Sequence, residues 1–294
     1  FNILAGGLPL GPGDEVLFST LNHAGASVCW RHQAERRGFT VTQFPFPVLD
    51  LPGMTPEDVV AQYESRMTDR TRVVVISHIE NTLGLRYPMQ LLAERVRARG
   101  AILAVDGAQS LGMVPVDVKA ASVDMYAASP HKWLQAPKGT GLLYLSPALR
   151  ERVAPMWVTW GQAQWGKATA RRYEDYGTRN LPEVLALGDA MAFHAQMDRG
   201  VREAHHRATF ERLRDRVDAT RGLTWRSPRR WDLGSAVVAI EVDGKNSADL
   251  ADVLWKDHGV VVRAFRTLGL NTLRLSPNVQ TVRETEDRFF RAVT

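Results

Sequence analysis

Cysteine is almost missing from this chain: Cys29 is the one thiol in 294 residues. That excludes an internal disulfide and any metal site built from cysteines, so no metal is expected, and it leaves the compartment open. Long apolar runs are missing too. No stretch approaches the roughly 20 apolar residues that cross a bilayer, and no basic-then-apolar leader opens the chain at Phe1. There is no internal repeat and no low-complexity tract. The formal net charge of +5 is spread among acids, as where Arg212, Arg214 and Arg216 alternate with Glu211 and Asp215. That is the pattern of a solvated helix face. No aromatic-basic platform accompanies it, so nucleic acid and membrane are set aside as partners. The basic balance suits anionic small molecules instead.

What is present is enough apolar residue, 45% of the chain, to bury one large core or a large and a smaller one. Phe1–Gly7 reads as the end of an apolar helix closed by glycine, as though the chain began inside an element with an N-terminal part missing. Glu15–Ser19 reads as a strand, Ala24–Arg37 as a helix stopped by Gly38, and 39–46 as an alternating strand. Thr55-Pro56-Glu57-Asp58 starts a helix, with Thr as cap, Pro in first place and acids in the first turn. Arg72–Ile79 is a buried strand, Pro88–Arg99 a helix ending at Gly100, and Ala101–Val105 the next strand. Such alternation predicts an α/β fold, a mainly parallel mixed sheet sandwiched by helices. Past Tyr144 the texture changes to a Gly-rich segment with Trp157, Trp160 and Trp165, then one long helical stretch from about Leu181 to Asp218. Strands at Ser235–Val242, Val260–Arg263 and Thr272–Ser276 follow, with helices between and after them. The expectation is a large domain over 1–195 and a smaller C-terminal α+β domain over 196–294.

Chemistry-bearing residues collect just after strands, where ligands of parallel sheets bind. Asp106 and Gln109 lie in Val105-Asp106-Gly107-Ala108-Gln109. Ser129, His131 and Lys132 lie in Ser129-Pro130-His131-Lys132, after the β-type run Asp124–Ser129. His23 and Asn81 follow two further strands. An amine, a carboxylate, an amide and an imidazole at one sheet edge suit pyridoxal 5′-phosphate, which needs an amine for its aldehyde and a carboxylate for its ring nitrogen. Each residue also has an ordinary reading: Lys132 as a surface lysine, Asp106 as a turn or helix cap, Gln109 as a surface amide, His23 as a structural histidine. Gly177-Thr178 precedes a helix and reads as a turn with a cap or as an anion site. Arg263 and Arg274 stand in apolar strands, where an arginine wants a buried anion, either a structural acid or a substrate carboxylate.

Taken together, Val105–Gln109, Asp124–Trp133 and Pro137-Lys138-Gly139-Thr140-Gly141 resemble, in order and spacing, the signature of the class V aminotransferases. The resemblance spans nearly the whole chain and implies the fold-type I pyridoxal-phosphate architecture. It implies that Lys132 is the Schiff-base lysine, that His23 stacks on the cofactor ring and that Asp106 pairs with the ring nitrogen. It places Gln109 at the phenolic oxygen, Ser129 and His131 at the phosphate, and Asn81 near cofactor and substrate. It implies that Thr178 reaches the phosphate of a neighbouring subunit, hence a homodimer, and that Arg274, with Arg263 nearby, holds the substrate carboxylate.

Cysteine desulfurases of this family carry a nucleophilic cysteine on a loop between the equivalents of Arg263 and Arg274. Here Ala264–Leu273 is short and has none, and Cys29 reads as a small buried helix residue. The pattern resembles the isopenicillin N epimerase-like branch. The expected activity is on the α-carbon of an amino acid, aminotransferase-like, with epimerisation and carbon–sulfur β-elimination as alternatives and a regulator or scaffold as the non-enzymatic one. A cytoplasmic location is the default, and a leader upstream of Phe1 would make it periplasmic.

Overall fold

The computed structural model describes every residue except 161, 163, 164, 167 and 168. Six strands, β1 (Glu15–Ser19), β2 (Thr40–Phe44), β3 (Thr71–Ser77), β4 (Ile102–Asp106), β5 (Met125–Ala128) and β6 (Leu142–Leu145), form one sheet in the order β2-β1-β3-β4-β5-β6. The first five run parallel, and β6 is antiparallel to β5. Alternate residues face opposite layers, as the strand period of two requires. Val16, Phe18, Val73, Val75, Ile102 and Ala104 meet α1 (Asn2–Gly7), α2 (Ala24–Arg37) and α5 (Pro147–Arg152) in one core. Leu17, Val74, Ile76, Leu103 and Val105 meet α3 (Pro56–Glu64) and α4 (Met89–Ala98) in the other. Burial on both faces explains why β3 reads as an unbroken apolar run.

Local signals set the helix ends. Gly38 closes α2 in the left-handed conformation at φ 81°, which a residue without Cβ adopts freely. Thr55 and Asp58 form a reciprocal capping box at the start of α3. At α1 the expectation fails in detail: the helix is present, but it is followed by Leu8 in extended conformation rather than closed by a left-handed glycine.

A second, antiparallel sheet has the order β7-β8-β10-β9, from β7 (Leu223–Trp225), β8 (Val238–Val242), β9 (Arg263–Phe265) and β10 (Thr272–Leu275). Helices α7 (Arg199–Asp218), α8 (Ser247–His258) and α9 (Arg283–Val293) pack on it through Phe210, Leu213, Leu254, Phe289 and Phe290. Two expectations need correction here, and one strand was not anticipated. The long helical stretch is two helices, α6 (Leu181–Ala195) and α7, separated at 196–198 because the Asp198 carboxylate accepts from the amides of Gly200 and Val201 and starts a new helix. The strand expected at Val260–Arg263 begins at Arg263, where pairing with Arg274 starts. The short strand β7 carries too few residues for its alternation to stand out. Leu233, Ala239 and Leu270 join the core beneath the first sheet, so the two sheets share packing.

Candidate active site

Strand register assembles the site. Ser77 pairs with Asp106 and Asp106 with Ala127, so the carboxyl ends of β3, β4 and β5 lie side by side. Asn81 and Lys132 each follow their strand's last residue by four positions, and Asp106 is itself the last residue of β4. His23 follows β1, at the point where the strand order reverses between β1 and β3. Three consecutive strands and one switch point thus bring the sequence-predicted set to a single edge.

Asp106 Oδ1 accepts from the amide of Ala108 at 2.9 Å. The residue is therefore a turn cap as well as an acid, and its other oxygen takes no hydrogen bond from the described residues. Gly107 is required beside it, because a Cβ there would sit 2.1 Å from the Tyr126 ring. The Tyr126 hydroxyl lies 2.5 Å from Ser110 Oγ and 3.0 Å from His78 Nδ1, and Ser110 Oγ donates to the Gly107 carbonyl at 3.1 Å. This buried network fixes the turn that carries Asp106. Sequence reasoning missed it, since a Tyr, a His and a Ser on different elements give no signal until the strands pair.

Lys132 is half-buried, and its amine makes no hydrogen bond or ion pair with the described residues. Burial lowers its pKa; Asp106 opposes that effect and the Arg274 charge adds to it. Such an amine leans toward its neutral, nucleophilic form. Gln109 Oε1 accepts from the Trp133 indole at 2.8 Å, which leaves the Gln109 amide NH₂ as the donor facing outward from that pair. Trp133 directly follows Lys132, so the same bond ties the two chemistry-bearing segments together.

His23 is the N-cap of α2 and is exposed; its Nδ1 accepts from Gly25 N at 3.1 Å, which puts the ring proton on Nε2. Ser129 is half-buried and His131 exposed. Thr178 is exposed next to Gly177, whose φ is 112°, and the cap position of α6 belongs to Asn180 rather than Thr178. Arg274, on β10 of the second sheet, reaches across and donates from Nη1 to the Asn81 carbonyl at 2.7 Å. Its Nε is buried without a partner, and no described carboxylate forms an ion pair with it. Arg263 is its register partner on β9 and is exposed.

A cleft of about 940 Å³ lined by Arg86, Glu94, Glu203, Arg230 and Asp232 includes none of the predicted site residues. Its arginines are already paired, Arg86 with Glu203 at 2.8 Å and Arg230 with Asp232 at 2.6 Å. The strand edge, by contrast, holds an amine, a carboxylate oxygen and an arginine Nε that have no hydrogen-bond partner among the described residues. That donor set fits a charged aldehyde cofactor together with a carboxylate ligand. No helix of the described residues is long and apolar enough to cross a membrane.

Comparison with known proteins bears on the family and the fold. The chain is 31% identical to isopenicillin N epimerase of Streptomyces clavuligerus over 98% of its own length and 75% of the epimerase. It is 34% identical to a probable cysteine desulfurase of Halobacterium salinarum over 87% of its length, spanning 61% of that protein. A solved cysteine desulfurase of Escherichia coli superposes with a TM-score of 0.83 at 26% identity, over 99% of this chain and 75% of that one. The family model for aminotransferase class-V matches residues 1–288. With its sheet order, its strand-end lysine and acid and this match in hand, the chain belongs to the class-V aminotransferase family of pyridoxal 5′-phosphate enzymes.

Proposed function

We propose that the protein acts on the α-carbon of an amino acid, with Lys132 as the group that holds the cofactor and moves the proton. The observation that carries the reading is the Lys132 amine: half-buried, without a hydrogen-bond partner among the described residues, its pKa lowered by burial, and within electrostatic range of both Asp106 and Arg274. When bound, the cofactor supplies an electron sink that lets the α-proton leave. Asp106 offers its free oxygen to the ring nitrogen, and a half-buried carboxylate favours a cation there. Gln109 donates to the phenolic oxygen, His23 covers the ring, Ser129 and His131 hold phosphate, and Asn81 lies beside cofactor and substrate. Arg274, seconded by Arg263, takes the substrate carboxylate through its unpartnered edge.

Lys132 Nζ then takes the proton from the α-carbon. Were the proton delivered to the cofactor instead, hydrolysis by one water would release the keto acid and leave the amino group on the cofactor, the half-reaction of a transamination. Return from the opposite face gives the epimer. The likeness to isopenicillin N epimerase supports that second reading. A sulfur relay of the desulfurase kind has little support, because Cys29 is 5% exposed within α2 and burial pushes its thiol pKa up. We further take residue 195 as the domain division, a homodimer as the working assembly with Thr178 reaching the phosphate of the other subunit, and the cytoplasm as the location.

The test is a screen of amino acids against the cofactor-loaded protein, followed by absorbance and mass spectrometry. The expected result is a change of the visible band with at least one amino acid and formation of its keto acid. A D-isomer or an elimination product would select the alternatives, and a band indifferent to every amino acid would overturn the enzyme reading.

A further inference from the structure

One buried acid near Arg274 has no part in the chemistry above. Glu80 is 1% exposed, yet no arginine or lysine forms an ion pair with it among the described residues. Its two carboxylate oxygens instead accept from the amides of Thr82 and Leu83, each at 2.6 Å. Burial pushes the Glu80 pKa up, and the amides of Leu83 and Thr82 together with the Arg274 charge pull against it, two N–H donors converging on both oxygens being the arrangement that an ionised carboxylate satisfies. The consequence is a tight turn over 80–84 that directs the Asn81 carbonyl at Arg274 Nη1.

That turn is also locked from the second sheet. Ser235 Oγ donates to the Gly84 carbonyl at 2.8 Å, and Arg86 N donates to the Leu233 carbonyl at 2.7 Å. Gly84 itself has φ +72°, and a Cβ there would lie 1.8 Å from the Val237 carbonyl oxygen. Glu80 therefore sits at the seam where Arg274 is delivered to the site. Because its oxygens are occupied by backbone amides, it does not compete with a ligand for the guanidinium's hydrogen bonds. Its charge, however, acts on the same cation that the ligand uses, against Arg263 and Lys132, which act in the opposite sense.

We propose that Glu80 is a positioning residue that both holds the turn against which Arg274 is aligned and weakens Arg274's pull on an anionic ligand. Through this residue the protein binds amino-acid carboxylates in a defined pose but not tightly, so that product leaves. In a buried setting a fixed carboxylate is screened little, and its removal leaves the arginine's field on the ligand stronger. The inference rests on the reading of Arg274 as the carboxylate holder.

The experiment uses the cofactor-loaded full chain and titrates its visible band with glycine, L-alanine and L-cysteine and with their carboxamides. The ratio of acid affinity to amide affinity reads the pull on the carboxylate alone. Wild type prefers the acids, and Arg274→Met removes the preference; if wild type shows none, or Arg274→Met leaves it intact, the reading of Arg274 fails first. With that reading intact, Glu80→Gln and Glu80→Ser both raise the acid-to-amide ratio, by about fivefold or more. Serine keeps a short acceptor for the Thr82 amide, so the two variants differ in turn geometry and agree only in lost charge. Thermal unfolding of both variants tracks the structural part separately. A purely structural residue would weaken acids and amides alike, and a ratio unchanged or lowered in both variants overturns the proposal.

Discussion

The two sheets contribute to the site in different ways. The parallel sheet presents three neighbouring strand ends, β3, β4 and β5, and each brings its residue at or within four positions of the end. The antiparallel sheet contributes Arg274 from the middle of a strand, through a contact 193 residues away in sequence. The first arrangement follows from strand order and register. The second exists only because one sheet is docked on the other, with Leu233, Ala239 and Leu270 in the shared core. On the function proposed above, the covalent and electronic parts of the site belong to one sheet, whereas recognition of the ligand belongs to the seam between two.

Breaking the first region has the largest expected effect. Lys132→Ala removes the amine, so borohydride no longer fixes the cofactor to the protein by mass, and turnover falls on the order of 10³-fold or more. Asp106→Asn keeps the turn acceptor for the Ala108 amide but removes the charge. Turnover is expected to fall on the order of 10²-fold with the fold retained, measured as kcat beside circular dichroism. A comparable loss of helix signal would assign Asp106 to the fold instead.

Breaking the second region leaves the chemistry intact. Arg274→Met is expected to cost about 2–3 kcal/mol of amino-acid binding, read as a rise in KM with the cofactor band unchanged. A fall in kcat at constant KM would move Arg274 from recognition into the chemical step.

The last effect bears on stability rather than turnover and concerns buried histidines, of which His78 supports the turn of Asp106 through Tyr126. Burial, with the Arg86 charge beside it, pushes His78 down to about 3, and burial pushes His206 down to about 4. Both are neutral in the folded state and accept a proton more readily when unfolded. Their contribution is therefore complete above the unfolded histidine value near 6.5 and is lost as pH falls toward 3–4, at about 1.4 kcal/mol per unit for each fully buried group. His78→Gln, which retains an acceptor for the Tyr126 hydroxyl, should flatten urea midpoints between pH 6.5 and 4 relative to wild type. Equal slopes in the two proteins would remove His78 from the acid response. Tyr126→Phe, by contrast, should lower stability by about 1–3 kcal/mol at every pH, because Ser110 and His78 each lose a buried partner.

Much of the parallel sheet and its flanking helices is legible residue by residue. Gly38 stops α2, Thr55 and Asp58 open α3, and the apolar runs of β3 and β4 announce strands buried on both faces. The break at 196–198 was harder to see, because Asp198 reads equally well as an exposed helix residue until its carboxylate is found on the amides of Gly200 and Val201. At Val260–Arg263 the β-branched run looks like a strand, but a strand needs a partner, and pairing with β10 begins only at Arg263. Glu80 stood in plain view next to Asn81; its importance depends on which amides it meets.

Local pattern by itself determined strands β1 to β5, the glycine and capping stops of the helices between them, and the placement of Lys132, Asp106, Gln109 and Asn81 at or just past strand ends. These follow from backbone period and short-range hydrogen bonding, which a linear sequence encodes directly. Tertiary structure alone decided that Arg274 would face Asn81, that Tyr126 would seal Gly107, and that a buried glutamate would sit behind the arginine. Those contacts join residues far apart in the chain, and their energies depend on burial and on neighbouring charge, quantities that come into being only when the two sheets close on each other.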